Sequence, residues 1–272
     1  MPDLSQAELK ALTGAAAAMW ASGDFNEIGR NLMPVAEDMC RAIDPAAGSR
    51  VLDIACGSGN FGLVAARRYC HVSGIDIAAN LVERARLRAA AEGLEADFGT
   101  GDAQALDFDD ASFDVVASAF GIIFAPDQKA AASEALRVCR PGGLIVLANW
   151  MPEGFGKDFF GAHAHHAPPP EGAPSPLVWG TADGLGALMG HGLADLRHER
   201  RSAMIHYLSV DHAVETYARC FGPTIRAIDR VGDAGTPALL ADLAAVVERY
   251  NAASDGSVAM RADYLLAVGV RA

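Results

Sequence analysis

The chain has 272 residues and a formal net charge of −12 at pH 7. Such an acidic chain is repelled by phosphate backbones and anionic lipid surfaces, so we expect neither nucleic acid nor a membrane as partner. No apolar run approaches the roughly 18 residues of a membrane-spanning helix, and residues 1 to 5 lack the pattern of a secretory signal, which together predict a cytoplasmic protein.

The sequence pattern of residues 1 to 45 predicts a helical cap. Ser5 and Glu8 have the spacing of an N-terminal capping box, and apolar residues recur at helical spacing as far as residue 43. A break is expected near Gly23 and Asp24. Pro34 should divide the helix that follows, because proline cannot donate a backbone hydrogen bond.

Residues 46 to 210 predict an α/β domain, because short β-rich runs alternate with helical patterns. The expected fold is doubly wound and Rossmann-like, with a seven-stranded, mostly parallel sheet. The predicted strands cover residues 50–55, 71–76, 95–99, 113–119, 143–149, 194–208 and 258–271. The predicted helices between the early strands cover residues 60–69, 79–92 and 128–139.

Two segments depart from this rhythm. Residues 151 to 180 are rich in glycine and proline and predict an irregular lid. Residues 211 to 257 predict a helical insertion before the last segment, 258 to 272, which returns to the α/β domain. We expect the insertion either to cap a ligand pocket or to form a homodimer surface.

The most informative stretch covers residues 51 to 62, a buried strand that turns through glycines into a helix. Its glycines match the GxGxxG pattern of dinucleotide-binding proteins, and an acid, Asp76, follows at the expected distance. Asp53 argues against a dinucleotide, because a carboxylate at this turn repels a diphosphate. The turn therefore predicts a ligand with a ribose and a positive charge.

Cys56 lies within this turn, and the five cysteines of the chain are odd in number and widely spaced. That pattern supports neither a disulfide framework nor a zinc site. We expect reduced, structural thiols and no bound metal.

Further acids follow the next strands. Asp76 ends the second strand, Asp102 follows the third, and residues 113 to 118 predict the fourth. Together with the glycine turn, these residues resemble the class I S-adenosylmethionine-dependent methyltransferases over about residues 15 to 205. The resemblance is strongest to the small-molecule group that includes the ubiquinone and menaquinone biosynthetic enzymes. It implies S-adenosylmethionine as cofactor and methyl transfer to a small molecule as the activity.

The resemblance also implies a role for each matching residue. Ala55 stands where the family usually has the first of its alternating glycines. The implied cofactor-binding residues are Asp53, Ala55, Cys56, Gly57 and Gly59 in the turn, Asp76 for the ribose, Ile77 for the adenine face, Asp102 and Ala103 for the adenine edge, and Ser118 and Ala119 beside the methionine part.

The acceptor is expected to bind beyond the carboxyl ends of the strands, among aromatic side chains from several segments. The candidates for contact with it are Trp20, Phe25, Phe120, Phe124, Trp150, Phe155, Phe159, Tyr217 and Phe221. We expect a small, partly apolar molecule, with oxygen favoured over nitrogen or carbon as the methylated atom.

A histidine cluster in the predicted lid is a candidate general base, because an unperturbed imidazole titrates near neutral pH. Its members are His163, His165 and His166. A solvated loop without a catalytic role is the alternative interpretation.

Other functions stay open at this level. The protein could use bound S-adenosylmethionine for cyclisation or dehalogenation, or it could be a non-catalytic cofactor-binding subunit. An NAD(P)-dependent oxidoreductase is less compatible with Asp53.

Overall fold

The computed structural model describes residues 5–170 and 173–272. The α-helices are α1 (Gln6–Trp20), α2 (Phe25–Gly29), α3 (Met33–Ile43), α4 (Asn60–Ala66), α5 (Ala79–Glu92), α6 (Gln128–Val138), α7 (Phe155–His166), α8 (Ala182–Met189), α9 (Val210–Cys220) and α10 (Gly222–Tyr250). The strands are β1 (Arg50–Ile54), β2 (His71–Asp76), β3 (Ala96–Thr100), β4 (Phe113–Ala119), β5 (Cys139–Trp150), β6 (Leu193–Tyr207) and β7 (Val258–Arg271). Short 3-10 helices cover Arg30–Leu32, Ile122–Phe124, Pro176–Gly180 and Gly190–Gly192.

The strands form one seven-stranded sheet in the order β3-β2-β1-β4-β5-β7-β6. β1 to β5 pair in parallel, whereas β7 is antiparallel to both β5 and β6. The predicted doubly wound, mostly parallel sheet is therefore confirmed. The strand order reverses at β1, between β2 and β4, and open sheets of this kind bind ligands at the carboxyl ends of the strands beside such a point.

β1 lies at the centre of the core. Val51, Leu52 and Ile54 have no exposed surface, as expected of a parallel strand that helices cover on both faces. The cysteines are free, and all are buried. Among the helices of the described residues, none is long and apolar enough to cross a membrane.

The N-terminal helices begin and end where the sequence predicts. The Ser5 hydroxyl accepts a hydrogen bond from the Glu8 backbone amide, and the Glu8 carboxylate accepts one from the Ser5 amide. Pro34 lies in the first turn of α3, so the predicted helix is divided before it by the 3-10 helix Arg30–Leu32. Residues of α1, α2 and this 3-10 helix line the same cavity as the residues that follow β1.

The prediction of an irregular lid at residues 151 to 180 is wrong for much of that segment. α7 occupies Phe155–His166 and a 3-10 helix occupies Pro176–Gly180. Phe155, Phe159 and His163 recur every four residues and are buried, so this periodicity specifies a packed helix despite the flanking glycines and prolines. Residues 171 and 172 of the predicted lid lie outside the described residues.

The insertion before β7 is helical, as predicted, but its second helix begins earlier than expected. α10 starts at Gly222, with Pro223 in its first turn, and is interrupted at Gly232, which has a φ of 65°. From the sequence, helices are expected near residues 211–221 and 236–252, with Gly222 and Pro223 between them. Proline in a first helical turn loses no hydrogen bond, so the same residues also begin a helix.

Candidate active site

The turn after β1 depends on residues with positive φ. Gly57 and Gly59 have φ of 54° and 84°, and Ala55 has a φ of 52°. A Cβ atom on Gly59 would lie 3.0 Å from the Phe98 ring, so glycine is required there for space as well as conformation. The turn brings backbone N–H groups to the carboxyl end of β1.

Two buried carboxylates hold this turn. Asp53 accepts a hydrogen bond from the Gly62 amide at 2.9 Å, and Asp76 accepts one from the Gly57 amide at 2.8 Å. Asp76 also accepts from the Ala78 amide at 2.9 Å. Burial raises the pKa of Asp53 to about 7, with a further contribution from the charge of Asp76, and burial also raises the pKa of Asp76. A nearby cation would stabilise the ionised form of both acids.

Arg88, on α5, supports the turn from behind. Its guanidinium donates hydrogen bonds to the Ser58 carbonyl at 2.6 Å and to the Asn60 side chain at 2.7 Å. The Asn60 amide in turn donates to the Gly29 carbonyl at 2.8 Å. The glycine turn is thereby connected to the N-terminal helices that cover it.

Asp102 is bound by Gln104, a residue that the sequence did not single out. The Gln104 Nε2 donates to both carboxylate oxygens of Asp102, at 2.9 and 3.1 Å, and to the Thr13 hydroxyl of α1 at 3.1 Å. Its Oε1 accepts from the Asp127 amide at 2.6 Å. One carboxamide therefore joins the residues after β3, the helix α1 and the start of α6. No local pattern signals this role, since it depends on segments distant in sequence.

A single cavity extends from these acids into the space beneath the N-terminal helices and α7. Of the predicted cofactor residues, Gly59 and Ser118 do not line it, and the others do. Ser118 has no exposed surface, because its hydroxyl donates to the Ile54 carbonyl at 2.7 Å and accepts from the Ile122 amide at 3.0 Å. The expected contact of Ser118 with the methionine part is therefore wrong. Its side chain connects β1 to the segment after β4.

All of the predicted acceptor-contact aromatic residues line the same cavity. The Phe120 and Trp150 rings are stacked, with centroids 3.9 Å apart. Trp20 contacts Phe25 and Phe221 edge-on, at centroid distances of 5.8 and 5.9 Å. These aromatic side chains form part of the wall of one cavity. Their contact with an acceptor stays a prediction. Further lining residues that the sequence did not indicate are Ile28, Leu32, Phe160, Ile205 and Tyr207.

The histidines lie elsewhere. His163 is buried and belongs to a packed interface: its Nδ1 lies 2.8 Å from the Phe159 carbonyl, and its Nε2 lies 2.7 Å from the Thr224 hydroxyl. Because a carbonyl only accepts, Nδ1 carries the proton and Nε2 accepts from Thr224. Burial lowers the pKa of His163, so this ring is neutral near pH 7.

The other two histidines lie at the C-terminal end of α7. His166 Nε2 is 2.7 Å from Asp242 on α10, and His165 adjoins His166 with ring centroids 4.9 Å apart. Within the described chain, neither of them nor His163 lines the cavity. The predicted histidine base is therefore wrong. The α7 residues that line the cavity are Gly156 and three phenylalanines, Phe155, Phe159 and Phe160.

The cavity fits a cationic adenosine better than a dinucleotide. Among the described residues that line it, Asp53, Asp76 and Asp102 are acidic and none is a lysine or arginine. Buried carboxylates favour a bound cation and disfavour a diphosphate. Asp76 and Asp102 are hydrogen-bond acceptors suited to ribose hydroxyls and an adenine amine.

Comparison with known proteins agrees with this chemistry. Residues 51–143 match a family model described as a methyltransferase domain. The chain is 36% identical to the uncharacterized protein Rv1405c of Mycobacterium tuberculosis, over 97% of both chains. It is also 37% identical to the demethylmenaquinone methyltransferase of Clavibacter sepedonicus, over 40% of this chain and 44% of that enzyme. The YcgJ protein of Bacillus subtilis has a similar fold, with a TM-score of 0.59 at 23% identity over 87% of this chain and 97% of that one.

The chain belongs to the class I S-adenosylmethionine-dependent methyltransferases. It is an enzyme of this class, and its cofactor is S-adenosylmethionine. The alternative of an NAD(P)-dependent oxidoreductase is therefore wrong, as the acidic lining of the glycine turn also indicates.

Proposed function

We propose that the protein transfers the methyl group of S-adenosylmethionine to a small, partly apolar molecule, with oxygen favoured as the methylated atom. The observation that carries the proposal is the continuity of one cavity from the buried acids to a wall of aromatic side chains. A site built in this way aligns an apolar acceptor with the cofactor and excludes water from both.

We assign cofactor binding to the acidic end of the cavity and acceptor binding to its aromatic end. Asp76 and Asp102 would hold the ribose and the adenine, and ionised Asp53 would favour the positive charge of the cofactor. S-adenosylmethionine, when bound, supplies an activated methyl group on a sulfonium. The contribution of the protein is then to orient the acceptor for in-line attack and to keep water away.

The aromatic end favours a neutral acceptor. A charged amine would lose its hydration there without a carboxylate to pair with, and burying an unpaired charge is costly. A hydroxyl group enters uncharged. Because the histidines lie outside the cavity lining, a hydroxyl that loses its proton readily, such as a phenol, suits this site best.

The partial similarity to a demethylmenaquinone methyltransferase supports a flat, ring-containing acceptor and says nothing in favour of oxygen as the methylated atom. The net charge of −12 supports a small molecule over nucleic acid. The similarity extends over 44% of that relative.

The test is an acceptor panel with matched members. Purified protein is incubated with S-adenosylmethionine and either 2-naphthol, 2-(aminomethyl)naphthalene, whose amine is charged at neutral pH, or naphthalene, and S-adenosylhomocysteine and methylated product are both quantified. We expect the ether from 2-naphthol as the main product. Turnover with the amine alone would contradict oxygen methylation. Cofactor binding without S-adenosylhomocysteine from any of the three would contradict the proposed acceptor class.

A further inference from the structure

The far wall of the cavity is formed by an extension of the β6–β7 hairpin. β5 ends at Trp150, opposite Tyr264, but β6 and β7 continue to pair from Ser202 to Tyr207. The extension is fixed to the N-terminal helices, since the His206 amide donates to the Asn31 side chain at 3.0 Å. Its alternate residues Ile205 and Tyr207 line the cavity, because side chains two apart on a strand share a face.

Tyr207 meets Tyr217 of α9 at this wall. The two rings are edge-on, with centroids 5.5 Å apart, and both residues line the cavity. They are 5% and 3% exposed. The Tyr207 hydroxyl is buried and makes no hydrogen bond of standard geometry with the described residues, although the Tyr217 hydroxyl is close enough to affect its pKa. A buried hydroxyl that is not fully paired lowers stability unless a ligand or water pairs with it.

The cavity lining next to the phenols is apolar. Phe159 and Phe221 lie 4.8 and 6.1 Å from Tyr217 between ring centroids, and Ile205 shares a strand face with Tyr207. The His212 ring lies 5.8 Å from that of Tyr207 but does not line the cavity. Burial raises the pKa of Tyr207 to about 12 and also raises that of Tyr217. Both hydroxyls therefore keep their protons at neutral pH and are able to donate hydrogen bonds.

A row of aromatic rings connects the phenols to the cofactor end. Phe25 lies beside the glycine turn, 3.7 Å from the position of a Cβ atom on Gly57. From Phe25 the row continues to Phe221 at 6.3 Å, to Tyr217 at 6.1 Å and to Tyr207 at 5.5 Å between centroids. In this order of contacts Tyr207 is the last ring counted from the glycine turn, and Tyr217 is the one before it.

We propose that Tyr207 and Tyr217 form a hydrogen-bonding site for an oxygen atom of the acceptor, at the end remote from the methylated atom. The acceptor class is then a flat, largely apolar molecule with a second oxygen substituent, a carbonyl or hydroxyl. This inference rests on the proposed function, because it requires the acceptor to bind in this cavity. The site sets specificity by position, since an acceptor without the remote oxygen would leave the buried phenol unpaired.

The test compares two probes of the same shape. Acetophenone carries a carbonyl oxygen where α-methylstyrene carries a methylene group. Their dissociation constants are measured by quenching of tryptophan fluorescence, with S-adenosylhomocysteine saturating, for the unmodified protein and for Tyr207→Phe and Tyr217→Phe. Tyr69→Phe is the matched control, because Tyr69 is 82% exposed. The ratio of the two dissociation constants is compared between the unmodified protein and each variant, so the difference in hydrophobicity between the probes cancels.

We expect the preference for acetophenone to fall by about fivefold in at least one cavity variant, as loss of one hydrogen bond predicts, and to stay constant in Tyr69→Phe. An unchanged preference in both cavity variants, with normal S-adenosylhomocysteine affinity, overturns the proposal. So does the absence of saturable binding of both probes to the unmodified protein. Each variant that retains S-adenosylhomocysteine binding is interpreted by itself, so failure of one to fold leaves the test intact.

This readout is separate from turnover. A lowered preference in the variants together with no methyl transfer to any acceptor would refute the proposed function and retain the binding site. Methyl transfer to 2-naphthol with an unchanged probe preference would support the proposed function and refute the tyrosine site.

Discussion

The methyl group of Ala55 occupies the space that a side chain on Gly121 would need. A Cβ atom on Gly121 would lie 2.5 Å from the Ala55 Cβ and 2.5 Å from the Ala55 carbonyl oxygen. Ala55 has a φ of 52°, a conformation that costs a residue other than glycine on the order of 1 kcal/mol. The alanine that departs from the family pattern is thus accommodated by a glycine after β4.

Gly121→Ala should therefore destabilise the fold and weaken cofactor binding. Overpacking against backbone atoms typically costs about 1–3 kcal/mol, and Gly121 lies against the cofactor turn. Denaturant unfolding and calorimetric titration with S-adenosylhomocysteine measure the two effects. Ala55→Gly should be well tolerated, but it should rescue Gly121→Ala only in part, because the contact with the Ala55 carbonyl remains. Full rescue would show that the methyl group is the sole obstacle.

Asp76→Ala should abolish detectable cofactor binding. The substitution removes the acceptor predicted for the ribose and also leaves the Gly57 and Ala78 amides without their partner. Calorimetric titration with S-adenosylhomocysteine checks the result, with Asp97→Ala as a control, since Asp97 is exposed on the neighbouring strand β3. An affinity within about threefold of the unmodified protein, or about 0.7 kcal/mol, would refute the ribose assignment.

Cofactor affinity should depend on pH through Asp53. Its pKa is about 7 when the site carries no cation, so the carboxyl is increasingly protonated below pH 7. The cationic cofactor favours the ionised form, and its affinity should fall as the pH is lowered from 8 to 6. Titrations of S-adenosylmethionine across that range measure the slope. Asp53→Asn should flatten it, and an equally steep profile in that variant would assign the titration to another group such as Asp76.

The same raised pKa predicts the direction of a stability change. An aspartate titrates near 3.9 in an unfolded chain and near 7 in this fold, so between these values the folded protein binds more protons than the unfolded chain. Stability without cofactor should therefore decrease as the pH rises from about 4 to 7. Urea unfolding at several pH values tests this contribution by comparison with Asp53→Asn, in which the Asp53 contribution is absent.

The sequence was sufficient for the features that depend on local pattern. The glycine turn, the acids after successive strands and the alternation of strands and helices are all local signals. These local signals did not predict that Tyr207 lines the cavity, because its position depends on how far β6 and β7 pair past the end of β5. His163 was misassigned although a signal existed: its spacing of four residues from Phe159 indicates a helix, and in a helix the two share a buried face.

Gln104 gives the last prediction, that the adenine end of the site and the helix α1 are coupled. Its carboxamide donates both to Asp102 and to Thr13, so one side chain orients the carboxylate proposed to bind the adenine and also contacts α1. Gln104→Ala should weaken S-adenosylhomocysteine binding by about fivefold and speed amide hydrogen exchange in α1.

Thr13→Val separates the two effects, because it removes the contact with α1 and leaves the contact between Gln104 and Asp102 in place. Exchange in α1 should rise in this variant with little loss of affinity. Thr236→Val is the control, since that hydroxyl bonds only within α10, to the Gly232 carbonyl. Unchanged exchange in α1 for both Gln104→Ala and Thr13→Val would mean that packing of Trp20 among Phe25, Phe124 and Phe221 holds the helix without this hydrogen bond.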